Sequence, residues 1–228
     1  MSDSQALKNF ISLGPNCCIR LRLDHYLQLY GMKCDKTNLF DWNLINTNTL
    51  RQFLSSKIDI QQYFNKNNLT TGKIGNKLYV ELKDVYFRSI HDIAPNLKTH
   101  ILDKALDEYV KKCVRRHVRL INRIHSNDPI VFVYMDDIPQ ECYQHIQENV
   151  RIASGGVNRI FVCLSDYGPD QCMLTNSEGL HRVNYHNLYN VNNDNIIEFL
   201  RTTNWLYMEF LNWDKIFDIL FDIYKTNF

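Results

Sequence analysis

The sequence predicts an α/β protein: one domain built on a mixed sheet, with at least one parallel βαβ unit and helices on both faces. Three observations predict it. Ile130-Val-Phe-Val-Tyr134 and Ile160-Phe-Val-Cys-Leu164 are short continuous apolar runs, the pattern of strands buried on both sides. Between them, about 139–153 has helical periodicity and ends at Gly155-Gly156, so the two strands run parallel around a crossover. Near the N-terminus stands another strand-to-helix step, and no Pro/Gly/Ser-rich linker divides the 228 residues.

The elements follow in order. Phe10-Ile-Ser-Leu13 is a short apolar run ending at Gly14-Pro15, a buried strand feeding a turn. From Cys17 the pattern turns helical, with Ile19, Leu23, Tyr26, Leu27 and Tyr30 on one stripe, Asn16 as N-cap and Gly31 as stop. A second helix spans 47–56, capped by Thr47 or Asn48. Residues 77–90 alternate and give one or two strands ending near His91. A long helix runs from about Ile101 to His125, striped by Leu102, Leu106, Tyr109, Cys113 and Ile124. Arg115, Arg116, Arg119 and Arg123 crowd its other side, read as a solvated face with partners such as Asp107. The segment 195–225 reads as helical and aromatic, with Trp205, Phe210, Trp213 and Phe217 as packing residues.

Composition narrows the function classes. The net charge of +1 leaves no global field for nucleic acid or anionic lipid, so neither is an expected partner. Met1-Ser-Asp-Ser-Gln has no basic segment followed by an apolar one, and Ile216–Tyr224 is broken by Asp218 and Asp222. A cytoplasmic protein is therefore expected. Seven cysteines without a CxxC pair suit neither a disulfide framework nor a zinc site, and reduced thiols follow. No His, Asp or Glu cluster has ligand spacing and no Gly-rich phosphate loop follows a strand, so no cofactor is expected.

One constellation points to chemistry. Gly14-Pro15-Asn16-Cys17 places a thiol at the start of a helix, where the first-turn N–H groups and the helix dipole favour negative charge. That position lowers a thiol's pKa toward the nucleophilic thiolate. The backbone N–H groups of Cys17 and Cys18, with the Asn16 amide, would hold an oxyanion; the Cys18 side chain points a quarter-turn away. Of eight histidines, His91 differs in closing a β segment beside a loop, where a base can face a helix terminus. The bland alternative is that two small cysteines simply pack the strand–helix turn.

The stretch Ile11-Ser-Leu-Gly-Pro-Asn-Cys17, the leucine-rich helix, Gly31, Leu39-Phe-Asp-Trp42 and the later His91-Asp92 resemble the signature of a domain family described as papain-like cysteine peptidases. Leu39 stands where that family has Pro. The resemblance covers about residues 10–165 and implies Cys17 as nucleophile, His91 as general base and an acid that orients the imidazole. Asp41, inside the Phe-Asp-Trp block, and Asp92 rank first for that acid; Asp136 and Asp137, on a later strand end, come next. A papain-like architecture would need antiparallel strands, whereas the βαβ unit suits a three-layer scaffold with the nucleophile on a strand-to-helix turn. Similar proteins occur in bacteria and large DNA viruses.

The function expected from these readings is a cysteine hydrolase or acyltransferase acting on a peptide, protein or other acyl substrate. The alternative is a catalytically inactive interaction protein, such as a virus-encoded host antagonist. A glycan- or nucleotide-directed enzyme at the parallel sheet edge comes third.

Overall fold

A computed structural model describes residues 6–15, 17–33, 37–41, 43–55, 57–90, 92–94, 99–157, 159–165, 173–175, 179–184, 188 and 211–228. Among these, the strands are β1 (Phe10–Ser12), β2 (Asn43–Ile45), β3 (Leu69–Ile74), β4 (Lys77–Leu82), β5 (Phe87–Ser89), β6 (Val131–Tyr134), β7 (Ile160–Ser165), β8 (Met173–Thr175) and β9 (Leu180–Asn184). The α-helices are α1 (Cys18–Leu29), α2 (Thr47–Phe53), α3 (Ile60–Tyr63), α4 (Thr99–His125), α5 (Gln140–Ala153) and α6 (Trp213–Asn227), with a 3-10 turn at Lys66–Asn68.

Four parallel strands form the main sheet in the order β1-β6-β7-β9, and β8 closes the far edge antiparallel. The two runs read as parallel strands pair directly, Phe132 opposite Phe161 and Val133 opposite Val162. Alternation along each strand sorts the core into two layers. Ile11, Phe132, Tyr134, Phe161 and Cys163 pack with Tyr109, Cys113, Leu120 and Ile124 of α4 and Tyr143, Ile146 and Val150 of α5. Phe10, Val131, Val133, Val162 and Val183 pack with Ile19, Leu23 and Leu27 of α1 and Ile216, Phe217 and Leu220 of α6. Continuous apolar strands are therefore the sequence's answer to burial on both faces. This is a three-layer α/β arrangement, not the antiparallel one a papain-like architecture requires.

A second, antiparallel sheet has the order β2-β5-β4-β3 and joins the α4–α5 side of the core through Ile45, Val80, Leu82 and Phe87. Phe53, Phe64 and Phe87 meet edge-on or tilted there, with centroids 5.0–5.7 Å apart. The sequence anticipated β4 and β5. It missed β2, which has three residues, and β3, whose Leu-Thr-Thr-Gly-Lys-Ile pattern is too polar to show period-2 apolarity.

Local corrections concern caps and charge. Cys17 itself is the N-cap of α1 and makes no side-chain cap bond; Asn16, expected there, lies outside the described residues. Asn46 caps α2 by accepting from the Thr49 N–H at 3.0 Å, and the helix ends at Phe53. Gly31, at φ +66°, ends α1 as expected because the left-handed region suits a residue without Cβ. The arginine side of α4 is only in part a solvated face: Arg115 is exposed as expected, but the other three are engaged by the fold. Arg116 is buried against Asp92, Arg119 donates to the Thr37 carbonyl, and Arg123 reaches Asp128 and Asn9. Tertiary partners, invisible to helical spacing, drew Arg116 and Arg119 inward. Trp213 and Phe217 are packing residues, whereas Trp205, Phe210 and the rest of 195–210 lie outside the described residues. Among the described residues no helix is long and apolar enough to cross a membrane.

Candidate active site at the carboxyl edge of the parallel sheet

Parallel α/β sheets present ligand-accessible groups beyond the carboxyl ends of their strands. β1 delivers Cys17 to that edge. Leu13 donates to the Val133 carbonyl at 2.8 Å, and the Gly14 carbonyl accepts from Met135 at 2.9 Å, so the turn is laced to the end of β6. Gly14 adopts φ +92°, which a residue with a Cβ would resist, and lets the chain swing into α1. The Cys17 carbonyl then accepts from the Leu21 N–H at 3.0 Å, the first bond of the helix.

The thiol differs from expectation. Cys17 is only 4% exposed, and burial pushes its pKa up, against a backbone hydrogen bond and the charge of Lys77 that pull it down. Desolvation outweighs both, which works against a preformed thiolate. Cys18 is sealed in the α1–α6 layer, and burial pushes its thiol up to about 12. Its side chain is core packing. Lys77 opens β4, next to the Gly75-Asn76 turn of the β3–β4 hairpin, and sequence reasoning did not connect it with Cys17.

The two acids ranked first are both buried and both held by cations. Asp41 is fully buried and accepts from the Asn38 N–H at 2.7 Å and from Asn38 Nδ2 at 2.8 Å. Arg20, on the first turn of α1, lies 3.6 Å from it and 2.6 Å from Asp24. Burial pushes the Asp41 carboxyl up to about 7, opposed by Arg20, the Asn38 N–H and Arg116. Asp92 accepts from Ser89 Oγ at 2.9 Å and pairs with Lys112 at 2.6 Å and Arg116 at 2.9 Å. Burial works against its charge, but Arg116 and Lys112 prevail and hold the carboxyl below its usual range.

These pairs form one network. Arg116 Nε also donates to Thr37 Oγ1 at 3.1 Å, and Asn38 Nδ2 to the Ser12 carbonyl at 3.2 Å. The segment 37–41 thus links α4 and Asp92 to β1 and, through Asp41 and Arg20, to the first turn of α1. The structure brings Asp41 and Asp92 into this network, each engaged by a guanidinium. His91, Asn16 and Trp42 lie outside the described residues.

Of the other acids, Asp137 is paired with Arg182 at 2.7 Å. Asp136 is exposed directly after Met135, the residue bonded to Gly14, and accepts from the Asp137 N–H at 2.8 Å. The missed members, Arg20, Asn38, Arg116 and Lys77, carried no motif; only the odd placement of Asp41 between two aromatics signalled that buried charge was present. Among the described residues no group of three or more His, Cys, Asp or Glu side chains could hold a metal ion. No protein-family model matches the chain, no curated protein is similar to it, and no solved structure matches it.

Proposed function

We propose that the chain is a cysteine hydrolase or acyltransferase with Cys17 as nucleophile and a peptide, protein or other acyl compound as substrate. The observation that carries the reading is the place of Cys17: on the turn that follows β1, at the N-cap of α1, with a cation in electrostatic reach. The resemblance of the Ile11–Cys17 and Leu39–Trp42 blocks to the papain-like peptidases supplies the reaction class and assigns the general base to His91.

A thiol whose pKa is raised must lose its proton as it attacks. In this reading His91 takes the Cys17 proton, sulfur adds to the acyl carbon, and the carbonyl electrons move to oxygen. First-turn N–H groups of residues 17–18 and the Lys77 charge oppose the developing negative charge. Collapse expels the leaving group, which takes the proton from the imidazolium, and water or an acceptor nucleophile then releases the acyl group.

The test is labelling by a thiol-reactive acyl probe at neutral pH, located by peptide mass spectrometry. Modification at Cys17, abolished by Cys17→Ala while unfolding midpoints stay unchanged, supports the reading. Labelling that persists in Cys17→Ala, or settles on another cysteine, refutes it.

A second reading, an interaction protein without turnover, is favoured by the burial of Cys17 and the engagement of Asp41 and Asp92 by arginines. Inertness of Cys17 toward both the probe and iodoacetamide in the folded protein would select it.

A further inference from the structure

From a cleft on the other side of β1, we infer a second site, one that binds the phosphoryl group of a small phosphomonoester. The cleft encloses about 470 Å³ between the edge strand β1 and the C-terminal half of α4, the size of small-molecule sites. Four cationic side chains line it, Lys8, Arg20, Arg119 and Arg123, and no carboxylate does among the described residues. Arg20 and Arg123 are offset by Asp24, Asp41 and Asp128. Lys8 and Arg119 have no acid within ion-pairing distance among the described residues.

Polar groups left over at the cleft complete the argument. Ser12 is 1% exposed and lines the cleft, yet among the described residues its Oγ meets no hydrogen-bond partner; the same holds for Arg119 Nε. A buried hydroxyl without a partner is costly and uncommon in native proteins. The backbone agrees. Asn9 and Leu13 bond to β6, so alternation along a parallel strand turns the backbone N–H groups of Phe10 and Ser12 toward the open edge of the sheet, on the side of the cleft. A tetrahedral dianion uses two cations, a hydroxyl and an amide at once, which a single carboxylate cannot. Phe10, Ile11 and Leu120 supply apolar wall for the organic part of the ligand.

The test is titration of the isotope-labelled full chain with phenyl phosphate, inorganic phosphate and phenol, followed by amide and arginine Nε–H chemical shifts. Expected are saturable shifts centred on residues 10–12 and Arg119, tighter for phenyl phosphate than for inorganic phosphate and absent for phenol. Arg119→Gln should weaken phenyl phosphate at least tenfold, and Ser12→Ala several-fold. The exposed Lys8→Gln, which leaves the packing intact, should weaken it several-fold too. Saturation by inorganic phosphate as tight as by phenyl phosphate would place the recognition in the anion alone and overturn the phosphomonoester assignment. Shifts that do not saturate, or that Lys8→Gln and Arg119→Gln leave unchanged, would overturn the site.

Discussion

Replacing Asp92 with Asn removes the carboxylate that Arg116 Nη1 meets at 2.9 Å and Lys112 Nζ at 2.6 Å. The guanidinium of Arg116 is left almost wholly buried, and among the described residues its remaining partner is Thr37 Oγ1, 3.1 Å from Nε. Stranding one member of a buried pair costs about 3–5 kcal/mol. Lys112 is about a third exposed and recovers water, and the Asn oxygen still accepts one bond, so the lower end, about 3 kcal/mol, is expected. With a urea m-value of about 1–3 kcal/mol/M, the midpoint falls by about 1–3 M. Trp fluorescence reads it. Because Arg116→Met removes the stranded charge, the double variant should lose at least about 1 kcal/mol less than the sum of the single losses. The Asp92 carboxyl is held low in the folded state, so its contribution is present above about pH 4, the unfolded value, and fades as the pH drops further. The deficit of Asp92→Asn should therefore shrink at pH 3. A loss under about 0.5 kcal/mol at pH 7, with additive double-variant energies, would refute the ion-pair account and free Asp92 for another role.

Two more outcomes follow from buried charge. Asp41 titrates near 7 when folded and near 4 when unfolded, so between those values the folded chain retains a proton the unfolded chain has lost, and stability falls as pH rises. Asp41→Asn cannot ionise, so the stability difference between parent and variant should change across pH 4–7; parallel profiles in urea titrations would contradict this. Arg159 is 2% exposed and donates to the carbonyls of Ile124 (2.9 Å), Ser126 and Asp128, sealing the C-terminal end of α4. Arg159→Met keeps the stem and strands those acceptors, so a loss of about 3 kcal/mol is expected, at about 1–3 kcal/mol per buried unpaired group; Arg159→Lys should recover part, and a loss under about 1 kcal/mol would show water replacing the guanidinium.

The elements legible in the sequence share one property, a local apolar pattern tied to burial. β6, α5 and β7 are adjacent in the chain, so their order alone implied parallel pairing. α1 was framed by a Gly-Pro turn and Gly31, and the stripe of α4 by Leu106, Tyr109, Cys113 and Ile124. Legible for the same reason was the place of Cys17, since a strand, a tight turn and a helix follow one another without a gap. The short β2 and the polar β3 exist through cross-strand partners such as Ser89 and Leu82, which no window around them contains.

Local pattern thus determined the layered α/β scaffold and put one cysteine at a helix start. Tertiary structure alone decided the electrostatics: whether that sulfur is solvated, which arginines of α4 turn inward, and which acids they hold. The physical reason is range. Hydrophobic periodicity is written in neighbours three or four residues apart, whereas the ionisation of Cys17, Asp41 and Asp92 depends on desolvation and on charges brought from distant chain positions, Lys77, Arg20 and Arg116 among them.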